Sequence, residues 1–426
     1  MKEELLHHIW KYRLFASHQL TDTEGSTIDI IDVGHHNLDA GPDFINAKIK
    51  IGDTLWAGNV EIHKKASDWN THKHPTNPAY NSVILHVVAE CNTDIFTQEG
   101  RKIPQLKLPL TPALLEQWQQ LEHSPHKIAC HLHLHRISDM IKTSWLEALV
   151  IERLETKASR IDTLLEQNKN NWEETFYQTL ARNFGFGLNS DPFEWLAKSL
   201  PINYIAKHKN QLLQIEALLF GQSGLLQLSQ ATDDYTVQLK NEYAFLQQKF
   251  SLTPIDGSLF KMMRLRPANF PHIRLAQLAQ LIHTSSKLFS HIVENPTYSS
   301  LKKMFAVSTS PYWETHYTFG EVSPRKTKKL GEKAINSIII NTIVPILFAY
   351  AKRKNNDELQ EKSVHLLESC AAEDNSIVRN WQEMGFTATS AYQTQALIQL
   401  QKQYCQTKKC LYCRFGHKLL QLSLQP

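Results

Sequence analysis

The chain has 426 residues, a length that suggests two or three domains. It is 42% hydrophobic and 21% charged, which predicts a soluble globular protein and excludes a disordered one. A net charge of +4 is too small to indicate a nucleic-acid partner by itself, and six cysteines in so long a chain do not form a disulfide framework, so a cytoplasmic location is predicted.

Membrane insertion is not expected from the sequence. The N-terminus, MKEELLHHIW, is charged and lacks the pattern of a secretory signal. The most apolar segment, 334–351, is interrupted by Asn336, Asn341 and Pro345, and it predicts a buried helix rather than a membrane span.

The N-terminal part predicts a helix followed by strands. Apolar residues recur at helical spacing over residues 3–15, and Glu4 lies on this helix. Strand-like segments follow at 27–34, in INAKIKI after Pro42-Asp43, in TLWAGNVEIH and in SVILHVV, with further pieces up to about residue 109. We therefore predict a mixed sheet in an α+β chain, with a first domain over residues 1–110.

The pattern changes to helical after Thr111-Pro112, which have the character of a helix start. Amphipathic segments over 138–168, 171–184 and 330–370 are typical of long helices. No repeat of 20–50 residues is visible, so a solenoid is not predicted. We predict an all-α region over 111–400 and a Cys/His tail over 401–426.

The stretch around Glu61 carries the polar residues most suggestive of chemistry. Side chains alternate faces along a strand, so Glu61 and His63 point to one side while Val60 and Ile62 point to a core. A hairpin would bring Asp43 close to Glu61. Two carboxylates with an imidazole predict a site for a divalent metal.

Further histidines cluster near this stretch. His72 and His74 flank one residue in a polar loop, and His86 lies on the next predicted strand. Together with His63 they could chelate a metal. The alternative is a loop in which the histidines are solvated while Trp69 and Tyr80 fill the core.

The C-terminal tail contains Cys405, Cys410, Cys413 and His417, in the spacing C-x4-C-x2-C-x3-H. Three thiolates and one imidazole suit a tetrahedral zinc site. An iron–sulfur cluster is the alternative, with its fourth ligand from Cys91, Cys130 or Cys370. The third possibility is that the cysteines pack as small apolar residues.

The order helix, strand, Pro-Asp, strand, Glu-x-His resembles the PD-(D/E)xK nuclease-like superfamily over about the first 100 residues. The resemblance implies that the mixed sheet is of the restriction-endonuclease-like type. The resemblance implies that Asp43 and Glu61 coordinate magnesium or manganese, and that Glu4 is the assisting acid of the first helix. The superfamily has a lysine where this chain has His63. His63 would bind the metal or accept a proton from water, and Lys65 is a possible substitute for the missing lysine.

GPDF, GNVEIH, SDW, AYNSVILHVV, RPANFPHIRLAQLA and YCQTKKCLYC resemble an uncharacterised bacterial family, domain of unknown function 2851, over nearly the whole chain. That resemblance implies a bacterial cytoplasmic protein and no particular activity.

Three hypotheses for the function follow. The first is a metal-dependent nuclease or phosphodiesterase, active or degenerate, whose helical region binds nucleic acid. The second is a non-catalytic nucleic-acid-binding or scaffold protein with a structural metal site. The third is a small-molecule metallohydrolase that uses His72, His74 and His86.

Overall fold

The computed structural model describes residues 1–15, 19–285 and 287–424. The chain divides into two compact units. The sheet unit comprises Met1–Trp145 together with Leu400–Pro426, and the helical unit comprises Leu146–Gln399. The predicted boundary at residue 110 marks where strands give way to helices, and the one at residue 400 lies where the chain returns to the sheet unit. As boundaries of independent folding, both stay a prediction.

A six-stranded mixed sheet is the centre of the sheet unit. Its strands pair in the order β1-β3-β4-β5-β6, and β2 pairs with β3. The first part of the sheet is antiparallel, whereas β5 is parallel to both β4 and β6. The strands are β1 Ile28–Asp32, β2 His35–His36, β3 Phe44–Ile51, β4 Thr54–Lys65, β5 Val83–Glu90 and β6 Gln105–Lys107.

Strand β3 contains an irregularity close to the predicted site. Its pairing with β4 shifts between Phe44 and Ala47, and Asn46 has a positive φ of 60°. The backbone N–H of Asn46 is bonded to the side-chain oxygen of Asn59 on β4. A bulge bends a strand and changes the direction of the side chains beside it. Here it lies three residues after Asp43.

The sheet is covered by the N-terminal helix, α1 (Glu3–Lys11). Leu5, Leu6, Ile9 and Trp10 are fully buried on one face of α1, which packs against β4. A separate apolar cluster lies beneath the loop between β4 and β5 and consists of Trp69, Tyr80, Val83, Ile95 and Ile103. The remaining helices of the sheet unit are α2 Asp68–Thr71, α3 Pro112–Glu122 and α19 Arg414–Leu422, and α4 Asp139–Gln167 begins there.

The helical unit is built from short and medium helices. They are α5 Trp172–Phe184, α6 Ser190–Ser199, α7 Ile202–Ala206, α8 Leu212–Gln222, α9 Leu225–Leu228, α10 Asp234–Phe250, α11 Pro271–Thr284, α12 Leu288–Glu294, α13 Tyr298–Met304, α14 Glu332–Ile338, α15 Val344–Lys354, α16 Asp357–Ser369, α17 Ser376–Glu383 and α18 Ala391–Gln399.

The most apolar segment forms a continuous helical stretch, Glu332–Lys354, which has a π-helical turn at Ile339–Ile343. In the described part of the chain it is the one helix long and apolar enough to cross a membrane by length and composition. However, 72% of its most apolar window is buried within the protein, as the core helix of a globular unit would be. The burial agrees with the predicted buried helix.

The predicted α+β fold class is confirmed. An N-terminal mixed sheet precedes a mainly helical region, as the alternating and helical patterns had indicated.

Candidate metal centre

The sheet holds Asp43 and Glu61 side by side. Asp43 immediately precedes β3, and Glu61 lies in the antiparallel partner strand, β4. The backbone N–H of Asp43 donates to Glu61 Oε2 over 3.0 Å, and the backbone N–H of Ile62 donates to Asp43 Oδ2 over 2.9 Å. These reciprocal bonds fix both carboxylates, which the sequence predicted would meet across a hairpin.

Glu61 and His63 share one face of β4, as the alternation predicted. Both side chains are buried, with 5% and 2% of the residue exposed, and Glu61 Oε1 lies 3.5 Å from His63 Nε2. Val60 and Ile62 are buried on the opposite face. A carboxylate and an imidazole are thus buried together at the middle of the sheet.

The loop after β4 brings His72 and His74 to the same place. Asp68 begins α2, and its carboxylate accepts the backbone N–H of Lys65. Lys73 has a left-handed φ of 61°, which turns the chain between the two histidines. His72 Nδ1 lies 3.0 Å from His63 Nε2, and His74 Nε2 lies 3.2 Å from Glu61 Oε1.

Tyr80 and His86 pack against the histidines of this cluster. The Tyr80 ring stacks on His74 with 3.8 Å between ring centroids. His86 on β5 is fully buried, and its Nε2 lies 2.8 Å from His63 Nδ1. The His63 ring is therefore fixed through both nitrogens. His86 contacts Nδ1 of His63, whereas His72 contacts Nε2 on the other side of the ring. His86 therefore lies behind His63, in a second layer around the group of three histidines.

The geometry matches what a metal ion requires. In the described part of the chain, His63, His72 and His74 form the group of three whose ligand atoms all lie within 4.8 Å of one another. Although His74 Nε2 is close to Glu61 Oε1, it makes no hydrogen bond with the residues that the structure describes. The two atoms approach without the alignment of a donor and an acceptor, as two ligands of one ion would.

Burial favours the neutral forms of several titratable groups in the cluster. Burial and the neighbouring charge of Asp43 raise the pKa of Glu61 to about 8. Burial and the nearby imidazoles lower the pKa of His63 to about 3, and burial lowers the pKa of both His74 and His86. Neutral imidazoles keep a lone pair for a metal, and a divalent cation would offset the cost of ionising Glu61.

Helix α1 has residues beside the Glu61 cluster, but Glu4, the residue predicted from the sequence, is not one of them. Glu4 is exposed and lines a different cavity of about 330 Å³. On the side of the site lie Glu3 and His7, which are one helical turn apart. His7 Nε2 is 3.3 Å from Asp43 Oδ2, and although burial lowers its pKa, Asp43, Glu3 and Glu61 raise it above the ordinary value overall. Residues that are four apart lie on the same face of a helix, so Glu3 shares the face of His7. This spacing is the sequence signal that could have identified Glu3, rather than Glu4, as the acidic residue near Asp43.

Lys65 lies at the end of β4, outside the cluster. It is exposed, and its ammonium group is 3.6 Å from the carboxylate of Glu90. Strand alternation correctly predicted that Lys65 lies on the same face of β4 as Glu61 and His63. However, Lys65 is two residues beyond His63, at the exposed end of the strand.

The tail residues lie elsewhere in the sheet unit. Cys405 ends a helical segment, Leu400–Cys405, Cys410 begins a short turn, and Cys413 precedes α19. His417 Nδ1 lies 3.1 Å from His8 Nε2, and both rings line the cavity that contains Glu4.

Comparison with known protein families shows where the chain belongs. The family model described as a protein of unknown function (DUF2851) matches residues 3–376. No curated protein and no solved structure matches the chain. The matched segment contains the complete Glu61 cluster and the helices that follow it, and ends before the cysteines of the tail. The chain belongs to the DUF2851 family.

Proposed function

We propose that this protein is a metal-dependent hydrolase of phosphodiester bonds, a nuclease or phosphodiesterase. Its metal ion would be held by Glu61, His63, His72 and His74. The observation that carries the proposal is the convergence of these four side chains, three of them buried, from a strand and the loop that follows it.

The distances between the donor atoms support a common ion. The three measured separations are 3.0 Å between His72 and His63, 3.2 Å between His74 and Glu61, and 3.5 Å between His63 and Glu61. Ligands about 2.0 to 2.1 Å from a tetrahedral ion are separated by about 3.3 Å. The separations between the donor atoms are therefore close to those expected for ligands of one tetrahedral ion.

The donor types narrow the choice of metal. Three imidazoles and one carboxylate suit zinc, iron or nickel, whereas magnesium prefers oxygen ligands. Of the two ions expected from the sequence, manganese is favoured over magnesium. Zinc is the strongest competitor for the same ligands.

The neighbouring Asp43 and His7 suit a hydrolytic reaction. A bound cation that accepts a fifth ligand beside the four side chains would lower the pKa of a bound water and offset charge that develops on a phosphoryl oxygen. Asp43 lies beside Glu61, and its contact with His7 makes the pair suitable for accepting a proton. The order Pro-Asp, strand, Glu-x-His supports phosphodiesters as the substrate class, by the resemblance to PD-(D/E)xK nucleases.

A second candidate function is a non-catalytic nucleic-acid-binding protein with a structural metal. The observation that favours it is the number of protein ligands, because four of them close a tetrahedral site and leave no position for water. The third hypothesis, a metallohydrolase of small molecules, named His86 as a ligand. In our proposal His63 is a metal ligand instead of His86, and His86 orients the His63 ring.

The test is cleavage of single- and double-stranded DNA and RNA by purified protein with manganese, zinc or magnesium. Glu61→Gln should abolish cleavage and leave the fold intact, because Gln resembles the neutral carboxyl that burial favours. Glu116→Gln, the same change at an exposed position on α3, is the matched control.

Equal cleavage by the wild type and by Glu61→Gln would indicate a contaminating nuclease. If the wild type binds one ion at this cluster and binds nucleic acid without cleaving it, the non-catalytic function replaces the first proposal.

A further inference from the structure

The cavity that contains Glu4 lies between α1 and the tail. Its volume is about 330 Å³. Sites for small ligands range from about 300 to 1,000 Å³, so this cavity is of the size that holds one small ligand. Its walls include Lys11 and Tyr12 at the end of α1, and Tyr412 and Arg414 of the tail. We call it the tail cavity.

His7 connects the tail cavity with the Glu61 cluster. Its ring lines the cavity, and its Nε2 is 3.3 Å from Asp43 Oδ2. His36 lines the cavity as well, and its ring stacks on Phe44, the residue that follows Asp43, with 4.9 Å between ring centroids. A substrate that is held at the Glu61 cluster and extends past Asp43 therefore has the tail cavity beside it.

Two tyrosines expose aromatic rings at the tail cavity. Tyr12 is 47% exposed and Tyr412 is 63% exposed. The Tyr12 ring packs against the His417 ring, with 4.5 Å between their centroids, and this contact holds it in position. Unpaired bases stack on aromatic side chains with little regard to sequence, because every base has a π face. The cavity therefore offers stacking surfaces to a base.

Lys11 and Arg414 bring positive charge to the walls. The Lys11 ammonium is 5.5 Å from the centre of the Tyr12 ring. The Arg414 guanidinium lies 5.1 Å from the centre of the Trp145 ring, and its Nη1 donates to the neutral carbonyl and hydroxyl oxygens of Ser144. These contacts do not neutralise either cation, so both side chains suit a phosphate group.

The other polar groups of the walls do not cancel this charge. His8 Nε2 lies 3.1 Å from His417 Nδ1, and burial lowers the pKa of His8 to about 3 and also lowers that of His417, so both rings are mostly neutral at pH 7. Glu4 is acidic, but it is two helical turns from Lys11, about 10 Å along α1. The end of α1 that contains Lys11 is therefore the one that suits an anion.

We propose that the tail cavity binds one unpaired nucleotide of a single-stranded nucleic acid, next to the phosphodiester held at the Glu61 cluster. Tyr12 and Tyr412 stack on its base, and Lys11 and Arg414 contact its phosphate. A duplex does not suit the site, because its bases are already stacked on one another.

The proposal rests on the proposed function for the position of the neighbouring phosphodiester, whereas binding of the strand requires no cleavage. The zinc or iron–sulfur site predicted for the tail cysteines is a separate question and stays a prediction.

The first experiment measures the affinity of the full-length protein for a fluorescent phosphorothioate oligothymidylate, a single strand that resists cleavage. Tyr12→Ala and Tyr412→Ala should each weaken binding about 10-fold or more, and Tyr12→Phe should retain it because the ring remains. The matched control is Phe245→Ala in the helical unit, an aromatic ring that is 59% exposed and has a lysine ammonium 5.9 Å from its centre. Wild-type affinity in both tyrosine-to-alanine variants would overturn the proposal.

The salt dependence of the same affinity tests the phosphate contact. Each phosphate contact with a single strand contributes about −0.7 to the slope of log K against log salt concentration. Lys11→Gln should therefore make this slope less steep by about 0.7, whereas Lys50→Gln, at an exposed lysine of β3, should leave it unchanged. An unchanged slope in Lys11→Gln would contradict the contact.

Competition identifies the form of the ligand. Unlabelled oligothymidylate should displace the probe at much lower concentration than thymidine 5′-phosphate or a duplex of equal length. Displacement by the free nucleotide at the same concentration as the strand would assign the cavity to small nucleotides and overturn the proposal, and so would equal displacement by the duplex.

Cleavage measurements on the same variants separate this proposal from the proposed function. Weaker strand binding by the tyrosine variants of a protein that cleaves no substrate supports the tail cavity and overturns the hydrolase. Cleavage by the wild type, with unchanged binding and cleavage in the tyrosine variants, overturns the tail cavity and supports the hydrolase.

Discussion

At the scale of single residues, Glu61 is where burial and charge conflict most strongly. Its carboxyl is 5% exposed beside Asp43, and its pKa is raised to about 8. Burial has the opposite effect on His63, His74 and His86, whose pKa values it lowers because it disfavours their charged form. Near neutral pH these three imidazoles and the Glu61 carboxyl are therefore mostly uncharged in the metal-free protein.

The raised pKa of Glu61 predicts that metal binding releases a proton. A metal ligand must be ionised, so at pH 7 the incoming ion displaces about one proton from Glu61. Calorimetric titration with manganese in buffers of different ionisation enthalpy would measure this number. Glu61→Gln should release none, and a wild type that releases none at pH 7 would contradict the raised pKa.

The raised pKa of Glu61 also predicts how the stability of the metal-free protein depends on pH. Glu61 binds its proton more tightly when folded, so its contribution is complete below pH 4.5 and is lost as the pH rises through about 8. The lowered pKa of His63 contributes stability above pH 6.5 that is lost as the pH falls toward about 3. The melting temperature should therefore fall between pH 6.5 and 8.5.

Saturating manganese should remove this decline above pH 6.5, because the ion stabilises the ionised carboxylate. Glu61→Gln should reduce the decline, and the part that is left would come from His7, whose raised pKa also loses stability above pH 6.5. A decline of equal size in Glu61→Gln would assign the effect to other groups.

His86 tests whether the second layer matters. His86→Leu removes the acceptor for His63 Nδ1, and loss of such a partner weakens metal binding about 10- to 100-fold. His86→Gln keeps an acceptor at this position and should recover most of the affinity. Equal affinities for the two variants would mean that His86 only fills space.

At the scale of elements, the pairing of β4 with β5 determines whether the ligands meet. Glu61 is opposite His86 in this parallel pair. Gly58 permits the close approach of the two strands, because a Cβ there would lie 2.7 Å from the Ser82 carbonyl oxygen and 2.4 Å from the Ile84 side chain.

Gly58→Ala should therefore disturb both the sheet and the site. We expect a loss of about 1–3 kcal/mol in the free energy of unfolding, together with weaker metal binding. The measurements are urea denaturation and a metal titration. Gly331→Ala adds a Cβ in open space at an ordinary φ of −71° and should leave metal binding unchanged. Because Gly331 is the N-cap of α14, where alanine is less favourable than glycine, this variant should lose about 1 kcal/mol or less in stability. An unaltered Gly58→Ala protein would show that the strands can separate at no cost.

At the scale of the whole molecule, the helical unit depends on its apolar interior. Leu347, on the most apolar helix, is fully buried. Leu347→Ala should reduce the free energy of unfolding by about 2–5 kcal/mol because it leaves a cavity. Leu228→Ala, at a side chain that is 60% exposed, should have little effect. Equal small effects of the two changes in urea denaturation would argue against a buried helix.

The sequence by itself determined the fold class and the core of the site. Alternation along β4 placed Glu61 and His63 on one face, and helical periodicity identified α4 and α5, because both signals are local in the chain. Proximity across the hairpin was also predictable, since β3 and β4 are adjacent in sequence and in space.

Only the tertiary structure decided which distant residues complete each cluster. The rotation of α1 on the sheet placed Glu3 and His7 toward Asp43 and left Glu4 on another surface. The pairing of β5 with β4 put His86 behind His63. These contacts depend on how elements pack and on loops that cross long stretches of chain, and neither side-chain alternation nor motif spacing contains that information.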